Sequence, residues 1–271
     1  MAILRGRSGD PTLRAVLVRR GERYRLYPTP VQIERLTAWE NALRWLWNSA
    51  HAERLAKLDA GYRQPTAFDQ INDLTALRAS LTWLADVPRD ACAQMLFELD
   101  KAWQRGFAKL AKMPRFKSKN RGDRAPLIVP QDFRAEGEGR EGVVVFPKLG
   151  KVPGVIHRAV AGKTKTCAIV RDGDQWFACI SCAAEIADPA PSTKPAVAID
   201  RGIALLLADS DGRVTENPRH AAAMQPRIAR AQRAVSRKKK GSRNREKAKQ
   251  KVARLQRKIR RQREHYLHVA S

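Results

Sequence analysis

The uneven placement of charge constrains this chain more than any other feature of its sequence. Between Arg219 and Glu264 stand 19 Lys and Arg residues against two acids, Glu246 and Glu264, so this stretch carries +17 of a total formal charge of +26. Such an excess repels itself in a compact fold unless a polyanion neutralises it. Nucleic acid is the usual polyanion, bound through its phosphates with release of counterions. An anionic membrane surface is the competing partner. No apolar run approaches the roughly 18 residues of a membrane-spanning helix, and the longest, Ile203 to Ala208, is strand-sized. The opening MAILRGRSGD lacks the apolar core of a secretory signal. The expectation is a cytoplasmic protein with no membrane partner.

The other residues carry +9, and 43% of the 271 residues are hydrophobic, so there is material for a real core rather than a basic tail. The length allows one large domain or two to three small ones. The four cysteines, in a reducing compartment, read as buried thiols rather than disulfides.

Local patterns divide the chain. Residues 13–28 alternate on either side of Arg20-Gly21 and read as a hairpin. Thr29 is placed to cap a helix, with Pro30 at its first position and Gln32 completing a capping box. Ile33, Leu36, Leu43, Trp47 and Ala50 follow at helical spacing, and Trp39, Trp45 and Leu46 widen that face. A second helical stretch spans about 67–84. A third starts after Pro88, with Cys92, Met95, Leu96, Leu99, Trp103, Phe107 and Leu110 on one side. Residues 30–112 are therefore expected to be helical. Beyond PRFKSK (114–119) come five short period-two runs with Gly and Pro punctuation, from PLIVP to QWFACISCAAE, which predict a small β-barrel-like module. ADPAPSTKP (187–195) reads as a linker, AVAID as a buried strand, and ALLLADSDGRV as a hairpin through Asp211-Gly212. Met224, Ile228, Ala231 and Val235, then Val252, Leu255, Ile259 and Tyr266, stripe two basic helices joined at Gly241.

Several short motifs lack the context their chemistry needs. Gly137, Gly139 and Gly142 have dinucleotide-binding spacing, but a strand follows them where a helix is needed. Cys179 and Cys182 lie three apart on a strand, so their thiols point to opposite faces, and no second pair completes a zinc site. Two basic clusters remain. Lys238, Lys239, Lys240, Arg243 and Arg245 form either a phosphate-binding loop or a solvated one. Arg115, Lys117 and Lys119, with Phe116 interleaved, offer charge and one stacking ring. Asp200, at the end of AVAID and followed by Arg201-Gly202, is either a metal ligand or a paired structural carboxylate, since burying it alone would be costly.

In this order the pieces resemble the TnpB (OrfB) proteins of bacterial insertion sequences and the related miniature type V CRISPR effectors. The match runs through YRLYPTP (24–30), LWNSA (46–50), VPRDACAQMLFELDKAW (87–103), MPRFKSK (113–119), FPKLGKV (146–152), VAIDRGI (197–203) and SRKKKGSRNREKAKQKVARLQRKI (236–259). The resemblance implies an α+β multidomain fold. An OB-like β-barrel wedge domain (1–29 and 113–186) would hold an inserted helical recognition lobe (30–112). After the linker would come a partial RNase H-like (RuvC) nuclease domain (196–271) bearing the basic helical hairpin. It implies a guide RNA and a target DNA as partners, with a short DNA motif beside the target read by the helical lobe. Trp47 and Asn48 match the family's aromatic-Asn pair for that motif, and Gln94 matches a helical Gln. Asp200 matches the first RuvC carboxylate, a ligand to Mg²⁺ in two-metal cleavage. The family's remaining carboxylates and its zinc ribbon have no counterpart here, so the expectation is a chain ending inside the RuvC domain. Such a chain would bind Mg²⁺ and cut DNA only if the missing part, or a second chain or protomer, completes the site. The alternatives are a nuclease-dead guide-directed repressor and a general RNA-binding protein.

Overall fold

The computed structural model describes residues 15–119, 123, 125–187 and 195–270. It forms two compact units: residues 1–171 with 175–188, and residues 172–174 with 189–271.

The first unit opens with strand β1 (Ala15–Leu26), which leads into helix α1 (Pro30–Asp59). Thr29 caps α1 as its sequence dictates. The Thr29 hydroxyl accepts from the Gln32 backbone N–H, and the Gln32 side chain accepts from the Thr29 N–H. Helix α1 buries Leu36, Trp39, Leu43, Leu46, Trp47, Ala50, His51 and Arg54. Helices α2 (Ala67–Ser80), α3 (Thr82–Asp86) and α4 (Arg89–Phe107) follow, and α4 turns Cys92, Met95, Leu96, Leu99 and Trp103 inward. Phe107 and Leu110, expected on that apolar side, are exposed because the helix ends at Phe107.

Six further strands complete a sheet: β2 (Leu127–Val129), β3 (Arg134–Glu136), β4 (Gly139–Phe146), β5 (Gly150–Ile156), β6 (Lys163–Asp172) and β7 (Gln175–Ala187). Their order is β2-β6-β7-β1-β5-β4-β3, and the pairings described are antiparallel. The expected barrel is thus a curled seven-stranded half-barrel with β2 and β3 at its edges. The expected hairpin at residues 13–28 is corrected. Its two halves are one continuous strand that pairs with β7 from Ala15↔Ala187 to Leu26↔Trp176, with Gly21 opposite Ser181. A long partner keeps the chain extended where local turn chemistry alone would allow a bend.

Helices and sheet share one core, in which Trp39, Leu43 and Leu99 join Tyr24, Phe146, Val152 and Ile180. The turn within FPKLGKV is fastened to the helices. Gln32 donates to the carbonyls of Leu149 and Lys151, and Arg35 to that of Lys148. Lys148, at φ 59°, reaches the Ala85 carbonyl at 2.7 Å.

The second unit holds a small sheet, β10-β9-β8, built from β8 (Ile199–Asp200), β9 (Leu205–Asp209) and β10 (Val214–Glu216). Asp209 accepts from the backbone N–H groups of Asp211 and Arg213, and Gly212 takes φ 80°, so the predicted hairpin forms. The expectation that AVAID is buried is corrected. Both residues of β8 are exposed, and Val197, Ile199 and Ile203 are 42%, 61% and 88% exposed. Their apolar character is legible in the sequence, but among the described residues β8 pairs only with β9, and both its residues are exposed. The linker lies largely outside the described residues. Helices α5 (His220–Ser236) and α6 (Arg243–Ala270) complete the unit. No helix among the described residues is long and apolar enough to cross a membrane.

Candidate nucleic-acid interface

Apolar residues at i, i+4 and i+7 on α5, and at i, i+3 and i+7 on α6, bring the two basic helices together. Met224, Ile228 and Ala231 of α5 are buried, while Val252, Leu255 and Ile259 of α6 are half-buried along the seam. An apolar seam on helices this charged leaves most of their cations to solvent. The turn between the helices needs a left-handed residue and has Gly241 there, at φ 83°. Arg245 braces this turn, donating from its guanidinium to the Lys238 carbonyl at 2.9 Å, and its backbone N–H is capped by the Ser242 hydroxyl. The structure therefore divides the predicted loop cations. Lys239, Lys240 and Arg243 stand exposed at the tip, whereas Lys238 and Arg245 are half-buried.

Further along α6 the charge is partly answered from within. Arg254 and Arg257 converge on the Asp174 carboxylate at 2.9 and 3.1 Å, and Arg260 reaches Asp172 at 3.3 Å. Burial works against the Asp174 carboxylate, yet hydrogen bonds from the two guanidiniums hold its pKa below the ordinary value. These pairings join residues 80 to 88 positions apart, so no local pattern announces them. Arg257 is buried at 6% exposure, and a Cβ at Gly173 would meet its guanidinium at 2.8 Å.

In the first unit, the basic segment 113–119 lies along α1 as a strap. The Trp47 indole N–H donates to the Arg115 carbonyl at 3.1 Å. Asn48 accepts from the Lys117 backbone N–H at 2.7 Å and donates to the Lys117 carbonyl at 2.9 Å. The Lys117 ammonium sits 4.3 Å from the Trp47 ring centre, and burial lowers its pKa. Phe116 packs on His51 with ring centres 4.8 Å apart, and His51 Nδ1 accepts from Trp103 Nε1 at 3.2 Å. Burial, then the nearby Arg54 guanidinium, push the His51 pKa down. Asp123 closes the strap, accepting from the Ser118 N–H at 2.9 Å and pairing with Arg115 at 3.3 Å. Arg115 and Lys119 remain exposed. The strap and the loop tip lie in different units.

Gln94, half-buried on α4, donates to Glu98 one turn on. Asp200 is exposed. Among the described residues, no group of three or more His, Cys, Asp or Glu side chains converges as a metal would need. All four cysteines are free thiols: Cys92, Cys167 and Cys182 are buried, and Cys179 is half-buried on the other face of β7.

Residues 179–271 match the OrfB_IS605 family, described as "Probable transposase", and residues 18–61 match its helix-turn-helix domain. In this chain the latter span is the end of β1 followed by the single uninterrupted helix α1. A Streptomyces pristinaespiralis protein named "Putative RNA-guided DNA endonuclease" is 32% identical over 261 residues, covering 94% of this chain and 63% of the relative. The Escherichia coli K12 protein named "Putative RNA-guided DNA endonuclease InsQ" is 29% identical over 248 residues, covering 91% of this chain and 61% of the relative. The chain thus spans about three fifths of the length of these curated relatives. With a transposase-family match over the basic hairpin and similarity to both relatives along nearly its whole length, the chain belongs to the TnpB (OrfB) family.

Proposed function

We propose that this chain is an RNA-guided DNA-binding protein, holding a guide RNA by its phosphates and presenting it to duplex DNA. The observation that carries this reading is the α5–α6 hairpin. Its seam uses the apolar residues and leaves Lys239, Lys240 and Arg243 exposed at a tip braced by Arg245. Clustered exposed cations suit a polyanion, and guide pairing would supply the sequence choice that phosphate contacts lack. The strap cations Arg115, Lys117 and Lys119 would add contacts from the first unit, where Trp47 and Asn48 hold the strap, and Gln94 would contribute to reading the DNA motif beside the target.

DNA cleavage belongs to this reading only through Asp200. A two-metal site needs several carboxylates around its ions, and the described residues do not fit one. Asp200 would be one contributor to a site completed by other residues, by a second chain or by a second protomer. Without that completion, the same binding would occlude DNA as a repressor does.

The test is sequencing of the RNA that co-purifies with the chain, followed by binding of that complex to duplexes with and without a matching target. One structured RNA with a variable segment, and binding that follows the match, is the expected result. A heterogeneous mixture of cellular RNAs would replace this reading with that of a general RNA-binding protein.

A further inference from the structure

The resemblance assigns Trp47 and Asn48 to reading the DNA motif beside the target. An amide that reads a base edge must present its carbonyl and its NH₂ together to the groove. In Asn48 both ends are engaged with the backbone of Lys117, at 2.7 and 2.9 Å. The Trp47 N–H is directed to the Arg115 carbonyl, and the face of its ring lies against the Lys117 ammonium. One turn further along the same face of α1, His51 holds Phe116. Three consecutive strap residues are thereby fixed by three side chains of one helix. We infer that Trp47, Asn48 and His51 form a clasp that positions the strap, so that Arg115 and Lys119 meet nucleic-acid phosphates at a set spacing, and that the pair does not read bases.

A connecting segment must satisfy its backbone N–H and C=O groups, and water would do this for an exposed one. Here Asn48 takes over the pairing of Lys117, which ties the strap to helix α1. Fixing the backbone while Arg115 and Lys119 stay exposed pre-orders the cations, which lowers the ordering cost of binding. Phosphate contacts made this way strengthen binding to every sequence alike. This inference rests on the nucleic-acid reading above, and it assigns Trp47, Asn48 and His51 as positioning residues.

The experiment uses the full chain as wild type, N48A, N48D, R115A/K119A and N48A/R115A/K119A, each checked for folding by circular dichroism. Binding is read by fluorescence anisotropy over a salt series. The probes are a labelled RNA stem-loop with a single-stranded tail and a duplex DNA pool randomised beside a fixed core. Strap mobility is read independently by limited trypsin cleavage after Arg115, Lys117 and Lys119, mapped by mass spectrometry. N48A is expected to weaken binding to both probes by roughly tenfold, with a shallower salt dependence matching that of R115A/K119A. The triple variant should bind no more weakly than R115A/K119A. N48D, which keeps the acceptor and loses the donor, should fall between wild type and N48A. Trypsin should cut the strap faster in N48A. A change in the sequences N48A selects from the pool, with its salt dependence intact, would overturn the inference. So would additive losses in the triple variant, or unchanged strap cleavage. Should wild type bind neither probe, the nucleic-acid role of the strap falls with the proposed function, while the cleavage rates still decide whether the clasp exists.

Discussion

Replacing Asp86 with Ala should weaken the first unit by about 2–4 kcal/mol, the sum of a lost buried acceptor and a screened ion pair. Asp86 ends α3 and faces α1. One carboxylate oxygen lies 2.5 Å from Arg35 Nη2, and the other accepts from Arg35 Nε at 3.2 Å and Trp39 Nε1 at 2.5 Å. Trp39 is 1% exposed, so losing Asp86 leaves its N–H buried without this acceptor, a cost of roughly 1–3 kcal/mol. The ion pair counts for less. Its side chains are 40% and 41% exposed, so solvent screening reduces its share to about 1 kcal/mol. All six tryptophans lie in the first unit, so their fluorescence in urea follows that unit without interference from the basic hairpin. With a urea dependence of about 2 kcal/mol per molar, the midpoint should fall by roughly 1–2 M. D86N retains a carbonyl acceptor for Trp39 and should lose about half as much. The Arg35 hydrogen bond, foremost among the causes, holds the Asp86 pKa below the ordinary aspartate value. The stability it contributes is therefore complete above that ordinary value and is lost as pH falls through the depressed one. D86N should flatten this acid loss. A D86A midpoint equal to that of wild type, or a D86N chain as weak as D86A, would refute the reasoning.

Other substitutions test the fold and the interface. Gly162 has φ 73°, and an added Cβ would lie 2.3 Å from the Ala183 carbonyl oxygen. G162A should cost more than about 2 kcal/mol in the same urea titration, whereas G150A, with φ 76° and open space, should cost about 1. Replacing Lys238, Lys239 and Lys240 with Ala should lower the salt slope of RNA binding by up to about one logarithmic unit per lost contact. The drop should be nearer two than three, because Lys238 is half-buried; an unchanged slope would show a merely solvated tip. D200A should unfold within about 0.5 kcal/mol of wild type, since the residue is exposed, and a larger loss in a thermal melt would reveal a structural carboxylate. Burial raises the thiols of Cys92 and Cys167 to about 11 and about 12, so iodoacetamide at neutral pH should modify them only after unfolding.

What the sequence determined by itself is what depends on neighbours within a turn or two. Thr29 and Gln32 stand three apart, and the capping box they predict forms because its geometry is complete within one turn. The stripe of Met224, Ile228 and Ala231 has a helical period and is buried as that period requires. Gly212 and Gly241 mark turns that demand positive φ. The charge excess likewise implies a polyanionic partner, and the order of the motifs resembles the TnpB family to which the chain belongs. Tertiary structure decided the rest, because the deciding partner lay far away in sequence. Alternation at residues 13–28 fits a hairpin or one long strand equally well, and β7, some 160 positions on, selects the strand. AVAID is apolar enough for a core, but exposure depends on which layers cover it, and β8 faces solvent. Asp86 and Arg35 stand 51 positions apart, and Asp174 and Arg254 stand 80 apart. Trp47 and Asn48 are recognisable as a pair in the sequence. That their polar groups hold the backbone of Arg115 and Lys117 becomes visible only when the strap is laid on α1, since side-chain hydrogen bonds are set by contact in space and not by spacing along the chain.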